Sequence, residues 1–366
     1  LKGASSGKLA GKRFGLKNNI CVSGMPMTCG SLLLEDYVAD TDATIVPRLL
    51  DAGAEVTALL NLENFSFSGG GETSAFGPIL NPHNPEHLAS GSSGGSAAAL
   101  YYDDIDITIG ADQGGSIRMP ASWCGVVGLK ATFGLVPYTG IVGVDNTIDH
   151  VGPMARTVED AALTLEVIAG KDPLDPRQGD VPVQQYTEAL GQGVSGLRIG
   201  LLTEGFGTAL SEDDVDESVR KAINIFGELG AETTEVSIPN HRDAGAILWG
   251  LMGEGATAYI QSNGMGYHWP GLYNPGLTAS LGKARRAQAN DFPDTVKLIL
   301  LMGTYMAETY HGRMYAKAQN QRPGLPAAYD RALAEVDILA LPTTPMKAHR
   351  YDSEMGVLES LSQGWN

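Results

Sequence analysis

The sequence predicts a layered α/β fold, and three observations lead there. Short apolar stretches of strand length alternate with longer helix-patterned ones, an order that packs helices against a sheet. Glycine is abundant, 47 of 366 residues, and gathers between Gly69 and Gly152 without a periodic repeat or a low-complexity linker. A hydrophobic content of 43% over this length leaves room for one large core or two ordinary domains.

The elements follow in order. Phe14–Leu16 reads as the end of a short strand. Val46–Ala52 reads as a helix behind the cap candidates Thr41 and Asp42, with Pro47 keeping its start local. Glu55–Leu62 is strand-like, whereas Asn81–Leu88 contains two prolines and shows no β pattern. Ser96–Tyr102 is alanine-rich and helix-prone. Ile105, Ile107 and Ile109 alternate with Asp106 and Thr108, as in a half-buried strand. Thr157-Val-Glu-Asp160 is a capping-box pattern, opening a helix with Val158, Ala161, Ala162, Leu165 and Ile168 on one face and Gly170 as the stop. The strand–helix–strand order recurs at Leu197–Leu202, Glu212–Leu229 and Glu232–Ile238, and Lys171–Val183 reads as a surface excursion.

Composition narrows the function. A net charge of −17 repels phosphate backbones, which argues against nucleic-acid binding. No stretch approaches the roughly 20 apolar residues that span a bilayer; Leu298–Met302 is the greasiest run and is far too short. The chain begins at Leu1 without Met, so an upstream targeting segment stays open. Three cysteines, Cys21, Cys29 and Cys124, make an odd, sparse set that suggests a reducing, cytoplasmic compartment, with Cys124 read as a buried structural thiol. The histidines (His83, His87, His150, His241, His268, His311, His349) form no H-E-x-x-H pattern, and Pro85 separates His83 from His87. No metal is expected, nor any cofactor.

Two Gly/Ser stretches carry the chemistry. Gly91-Ser92-Ser93-Gly94-Gly95 is either a flexible loop or a G-x-S-x-G nucleophile elbow centred on Ser93. The elbow needs a strand directly before it, and none is evident. In Gly110–Pro120 the Ile105–Ile109 strand runs into a glycine-rich turn ending on Ser116. Gly114 and Gly115 tolerate unusual backbone angles, so successive N–H groups can point into one cavity, as an oxyanion hole requires. A phosphate-cradling loop would want G-K-[ST], which is absent.

Together the stretches resemble the amidase signature, G-G-S-S-G-G-S followed by G-x-D-x-G-G-S-I-R-x-P-A, with Ser116 placed 24 residues after Ser92. Gly15-Leu-Lys17-Asn-Asn-Ile20 resembles the family's lysine segment, and Gly24–Ser31 its G-x-P-x-x-x-G-S segment. The likeness extends through Cys124–Gly140, Asp149–Pro153, Arg156–Asp160 and Pro342–Pro345. Thr132–Gly140 and Asp112-Gln113 look most like the broad-specificity bacterial amidases of nitrile degradation, and less like the aminoacyl-tRNA amidotransferase subunit.

The resemblance implies a single large mixed β-sheet covered by helices on both sides. It makes one domain of 1–366, with its signature core over about 10–180, a pocket and helical region over about 200–330, and an incomplete final strand region from 336. It implies a Ser116 nucleophile, Ser92 as proton relay, Lys17 as base, and an oxyanion hole from Gln113, Gly114, Gly115 and Ser116. A cis peptide is expected at Gly91–Ser92. Asp112 and Arg118 would support the loop, and Phe67, Ser68, Gly69 and Gly91 would line the pocket. His150 would be structural. Small-molecule amides are the implied substrates, a homodimer is admitted, and a glutamine-hydrolysing amidotransferase subunit or a non-catalytic scaffold are the competing readings. Trp249, Trp269 and Tyr273 are candidates for an aromatic pocket wall.

The chain departs from the family pattern at Ser90, Ala131 and Pro47. It also ends at Gly364-Trp-Asn366, before the segment that completes the family's core sheet, so the C-terminal part is expected to be missing.

Overall fold

The computed structural model describes residues 1–354 and 356, apart from 181, 266 and 268. His268 and the Gly364–Asn366 end lie outside the described residues. The strands are β1 (Arg13–Lys17), β2 (Glu55–Leu60), β3 (Leu80–Asn81), β4 (Asn84–Leu88), β5 (Ile107–Asp112), β6 (Val127–Gly128), β7 (His150–Ala155), β8 (Arg198–Leu202), β9 (Glu232–Val236) and β10 (Ile338–Ala340). The helices are α1 (Ile45–Asp51), α2 (Gly94–Ala98), α3 (Arg118–Cys124), α4 (Val158–Ile168), α5 (Asp213–Glu228), α6 (Ala244–Gln261), α7 (Pro275–Ala287), α8 (Asp294–Tyr310), α9 (Arg313–Gln321) and α10 (Gly324–Leu333).

A central mixed sheet runs β2-β1-β5-β7-β6. Strand β1 lies between β2 and β5 and is parallel to both, while β7 is antiparallel to β5 and β6. One face packs on α1 and α4 through Ile45, Val46, Leu49, Ala161, Leu165 and Ile168. The other packs on α2 and α3 through Ala97, Ile117 and Ala121. The mixed sheet flanked by helices is as expected, but the hydrogen-bonded ladder is divided. Strands β10-β8-β9 form a separate parallel sheet, and β3-β4 a hairpin.

Several local expectations change in the structure. All of β5 is buried, not half of it, because α2 covers the second face. Thr108 escapes water by donating to the Ser96 carbonyl at 2.8 Å, and Ser96 donates back to Ile109 at 3.1 Å. Asn84–Leu88 is a strand despite its proline. It pairs with β3 and bridges His87 to Arg350 at an exposed edge, where Pro85 is tolerated. Neither Thr41 nor Asp42 caps α1. The helix starts after Thr44, Asp42 accepts the Ser23 N–H at 2.7 Å, and Pro47 falls in the first turn, where its missing N–H leaves no bond unmade.

Lys171–Val183 is anchored rather than excursive. Asp172, Asp175 and Gln178 are buried; Asp175 accepts the Tyr138 N–H at 2.8 Å, and Gln178 donates to the Gly134 carbonyl at 2.7 Å. Thr157 caps α4 by accepting the Asp160 N–H. Val158, however, is 56% exposed in the first turn, before the residues that reach the sheet.

These contrasts are measurable. Leu16→Ala, in the fully buried centre of β1, should cost about 2–5 kcal/mol in denaturant unfolding. Val158→Ala should stay within roughly 0.5 kcal/mol of the parent chain.

Candidate active site

The site forms because β1, β2 and β5 are parallel, so their C-terminal ends share one edge of the sheet. Ligand sites in α/β sheets collect at that edge. Lys17 is the last residue of β1, and the loop after β5 carries Gln113 to Ser116. Ser92 arrives from a third direction, just before α2, across a cis Gly91–Ser92 peptide.

Lys17 and Ser92 are fully buried, and Ser116 is nearly so at 8% exposure. The Lys17 Nζ donates to Ser92 Oγ at 2.6 Å and reaches the Ala111 carbonyl at 3.5 Å. Burial strips the ammonium of water and lowers the Lys17 pKa to about 7, against an upward pull from Asp112, Cys29, Glu63 and Asp149.

Ser93, centre of the G-x-S-x-G pattern, is committed elsewhere. Its Oγ donates to the Ala111 carbonyl at 3.0 Å and accepts the Ala111 N–H at 3.2 Å, pinning this segment to β5. Its N–H donates to the Ser116 carbonyl at 3.1 Å, which ties the two serine stretches together.

Asp112 organises the glycine-rich turn after β5. Its carboxylate accepts the N–H of Gly115 at 2.8 Å, of Ile117 at 3.1 Å, and a two-pronged Arg118 guanidinium at 2.9 and 3.0 Å. Arg118 and these N–H donors outweigh burial and hold the carboxyl far below its usual range. The Gly115 N–H, one of the four donors anticipated for an oxyanion hole, is thus bonded to Asp112 in this structure. The Gln113 amide donates to the Tyr138 hydroxyl at 3.0 Å.

Of the anticipated pocket residues, Phe67 is buried in an apolar cluster with Phe65, Met27 and Val144. The Ser68 hydroxyl accepts the Gly70 N–H and donates to Glu72. The Gly69 carbonyl accepts the Gly91 N–H at 2.9 Å and the Ser90 hydroxyl at 2.7 Å. Gly69 thus holds the segment that carries Ser92. Trp249 and Trp269 do not share a wall. Trp269 lines a cavity of about 540 Å³ with Asp145, Glu254 and Tyr315, and Trp249 one of about 690 Å³ with Met302 and Met306. Tyr273 accepts the Trp269 N–H at 2.9 Å.

Two buried acids escaped the sequence reading as site residues. Glu63 stands between Leu62 and Phe65; burial, and Glu72 beside it, push its pKa up to about 8. Asp149 is pushed up to about 7 by burial, although Val144 and Asp145 N–H groups bond it. The only signal for Glu63 was an acid between Leu62 and Asn64 in a mixed polar and apolar stretch ahead of three glycines. His150 bonds the Ile148 carbonyl through Nδ1, and burial lowers its pKa to about 4, so it is neutral near pH 7. The three thiols are buried and unbridged; burial raises Cys124 to about 12, which keeps it a thiol. Among the described residues no helix is long and apolar enough to cross a membrane, and no group of three or more His, Cys, Asp or Glu is placed to hold a metal ion.

A buried lysine bonded to a serine, with a second serine on a glycine-rich turn, offers the parts of a serine hydrolase that uses no histidine. The chain belongs to the amidase signature family: the Amidase family model matches residues 1–362. It is 40% identical over 344 residues to a glutamyl-tRNA(Gln) amidotransferase subunit from Synechococcus sp. (strain RCC307), covering 93% of this chain and 70% of that protein. It is 42% identical over 349 residues to an enantioselective amidase of Rhodococcus rhodochrous, covering 93% of this chain and 66% of that protein. The peptide amidase of Stenotrophomonas maltophilia superposes with a TM-score of 0.75 at 31% identity, over 92% of this chain and 72% of that one. Overall identity thus does not separate the stand-alone amidases from the amidotransferase subunits.

The Asp112 contacts give a direct test of the turn. Asp112→Asn should speed amide hydrogen exchange across 113–118 and leave α4 unchanged, read by mass spectrometry of the two segments.

Proposed function

We propose that the protein hydrolyses a small carboxamide to a carboxylic acid and ammonia or an amine, through an acyl-enzyme on Ser116. The observation that carries this is the buried Lys17 Nζ, 2.6 Å from Ser92 Oγ, with a pKa lowered to about 7. A serine hydroxyl needs a base to become a nucleophile. A lysine that is neutral near pH 7 can be that base.

Ser116 Oγ attacks the carbonyl carbon and passes its proton to Ser92, whose own proton moves to Lys17. The negative charge on the carbonyl oxygen meets the N–H groups of Gln113, Gly114 and Ser116, which the loop preorganises. Collapse of the intermediate breaks the C–N bond, and the proton returns through Ser92 to the departing nitrogen. Water repeats the sequence on the ester and frees Ser116. Asp112 and Arg118 hold the turn, and Phe67, Ser68, Gly69 and Gly91 form the inner side of the pocket. The substrate is a small molecule, a homodimer is admitted, and the buried free thiols fit the cytoplasm.

A second reading, a glutamine-hydrolysing subunit that passes ammonia to a partner, is favoured by the 40% identity to the amidotransferase subunit. The two separate on substrate. Hydrolysis of propionamide or benzamide by the purified chain supports the first reading, and glutaminase activity that appears only with a partner supports the second.

Ser116→Ala should lower kcat by roughly 10³-fold or more, and mass spectrometry after a fluorophosphonate should find Ser116 alone modified. Lys17→Ala should cost roughly 10²–10⁴-fold. The folded Lys17 pKa is depressed, so the amine is charged and inactive below about 7 and neutral above it. Accordingly kcat/KM should rise with pH through about 7 and then level off. An activity that is flat from pH 5 to 9, or a fully active Ser116→Ala, would contradict the mechanism.

A further inference from the structure

Three chain segments meet behind Ser92, and one residue, Glu63, bonds its own segment to the other two. Glu63 follows β2 and is fully enclosed. Its N–H donates to the Ser92 carbonyl at 3.2 Å. Its carboxylate accepts the Gly71 N–H, the Thr73 N–H at 2.8 Å and the Thr73 hydroxyl. That carboxylate therefore holds the 69–73 loop, and the loop in turn holds the serine segment. The Gly69 carbonyl takes the Gly91 N–H and the Ser90 hydroxyl, while the Gly71 carbonyl takes the Ile79 N–H at 2.7 Å.

Steric contact reinforces the bonds. A Cβ on Gly91 would lie 2.5 Å from Glu63 Cγ and 2.8 Å from its Oε1. Glu63 thus occupies the space that any side chain preceding Ser92 would need, and only glycine fits there. Hydrogen bonds hold the carboxylate, and no salt bridge involves it among the described residues. A buried carboxyl kept without a cation is a costly way to brace a loop. The placement makes sense if a hydroxyl has to be held to within a fraction of an ångström.

We propose that Glu63 is the positioning residue of the proton relay: it fixes the Gly91–Ser92 segment so that the Ser92 hydroxyl meets Lys17. It acts through Ser92 and does not touch substrate. The inference rests on the reading of Ser92 as relay given above.

The test compares Glu63→Gln, Glu63→Ala and Thr73→Val in the full chain, with kcat expressed per active site titrated by a fluorophosphonate. Glu63→Gln should lower kcat roughly 10- to 100-fold while KM stays within about twofold, as expected of a misplaced catalytic group. Gln, which can still accept the Gly71 N–H, should retain more activity than Ala. Thr73→Val should reproduce the loss in milder form, and it decides the matter by itself if the Glu63 variants do not fold. Wild-type kcat per titrated site in Glu63→Gln and Thr73→Val would overturn the proposal, whatever their unfolding temperatures, because a residue that only supports the fold alters the amount of active protein and not its turnover. Ser92→Ala keeps the two readings apart. If Ser92→Ala is inactive while the Glu63 variants turn over normally, only the positioning role falls; if Ser92→Ala is fully active, the relay itself falls.

Discussion

The site depends on taking one amine out of water. Lys17 ends the strand flanked by β2 and β5, and helices close over both faces of that sheet. A lysine on an edge strand would reach solvent and stay protonated. Here the enclosure leaves it a serine hydroxyl and a backbone carbonyl as partners, and neither stabilises the charged form as a carboxylate would. Desolvation therefore dominates, and the amine becomes available as a base near neutrality.

The same enclosure acts on the acids nearby, with opposite sign. Glu63 and Asp149 are pushed up to about 8 and about 7, so each gives up much of its charge where Lys17 gives up its own. Asp112 is the exception. Arg118 and the N–H groups of the turn neutralise it locally, and it stays ionised as a structural anchor. Full charges on Glu63 and Asp149 would draw the proton back onto Lys17. Burial of base and acids together keeps the centre close to neutral, and around Lys17 and Glu63 it leaves hydrogen bonds to hold the geometry.

Short local motifs were legible because each states its own chemistry. Thr157 accepts the Asp160 N–H because a capping box is satisfied within four residues. The glycine-rich turn, Ser116 and Asp112 were legible for a similar reason, since the turn follows its strand directly. Motif spacing was less informative where a side chain had several bonds to choose from. The centre of G-x-S-x-G points to Ser93, yet Ser93 spends its hydroxyl on both polar groups of Ala111, 18 residues away. Alternation within β5 read as half-buried, because nothing local to Ile107–Asp112 says that α2 will cover its second face.

The amino-acid sequence by itself determined the α/β class and the family, and it singled out Lys17, Ser92 and Ser116 as candidates, because these reside in contiguous patterns of residue type. Only the tertiary structure decided what surrounds each of them. Lys17 lies 75 positions before Ser92, and its basicity is a property of the cavity, not of the Leu-Lys-Asn context. Glu63 had no motif at all; its place behind Gly91 exists only once β2, the 69–73 loop and the serine segment have packed. Desolvation and steric exclusion are sums over everything that surrounds a group, and those surroundings are assembled from distant parts of the chain.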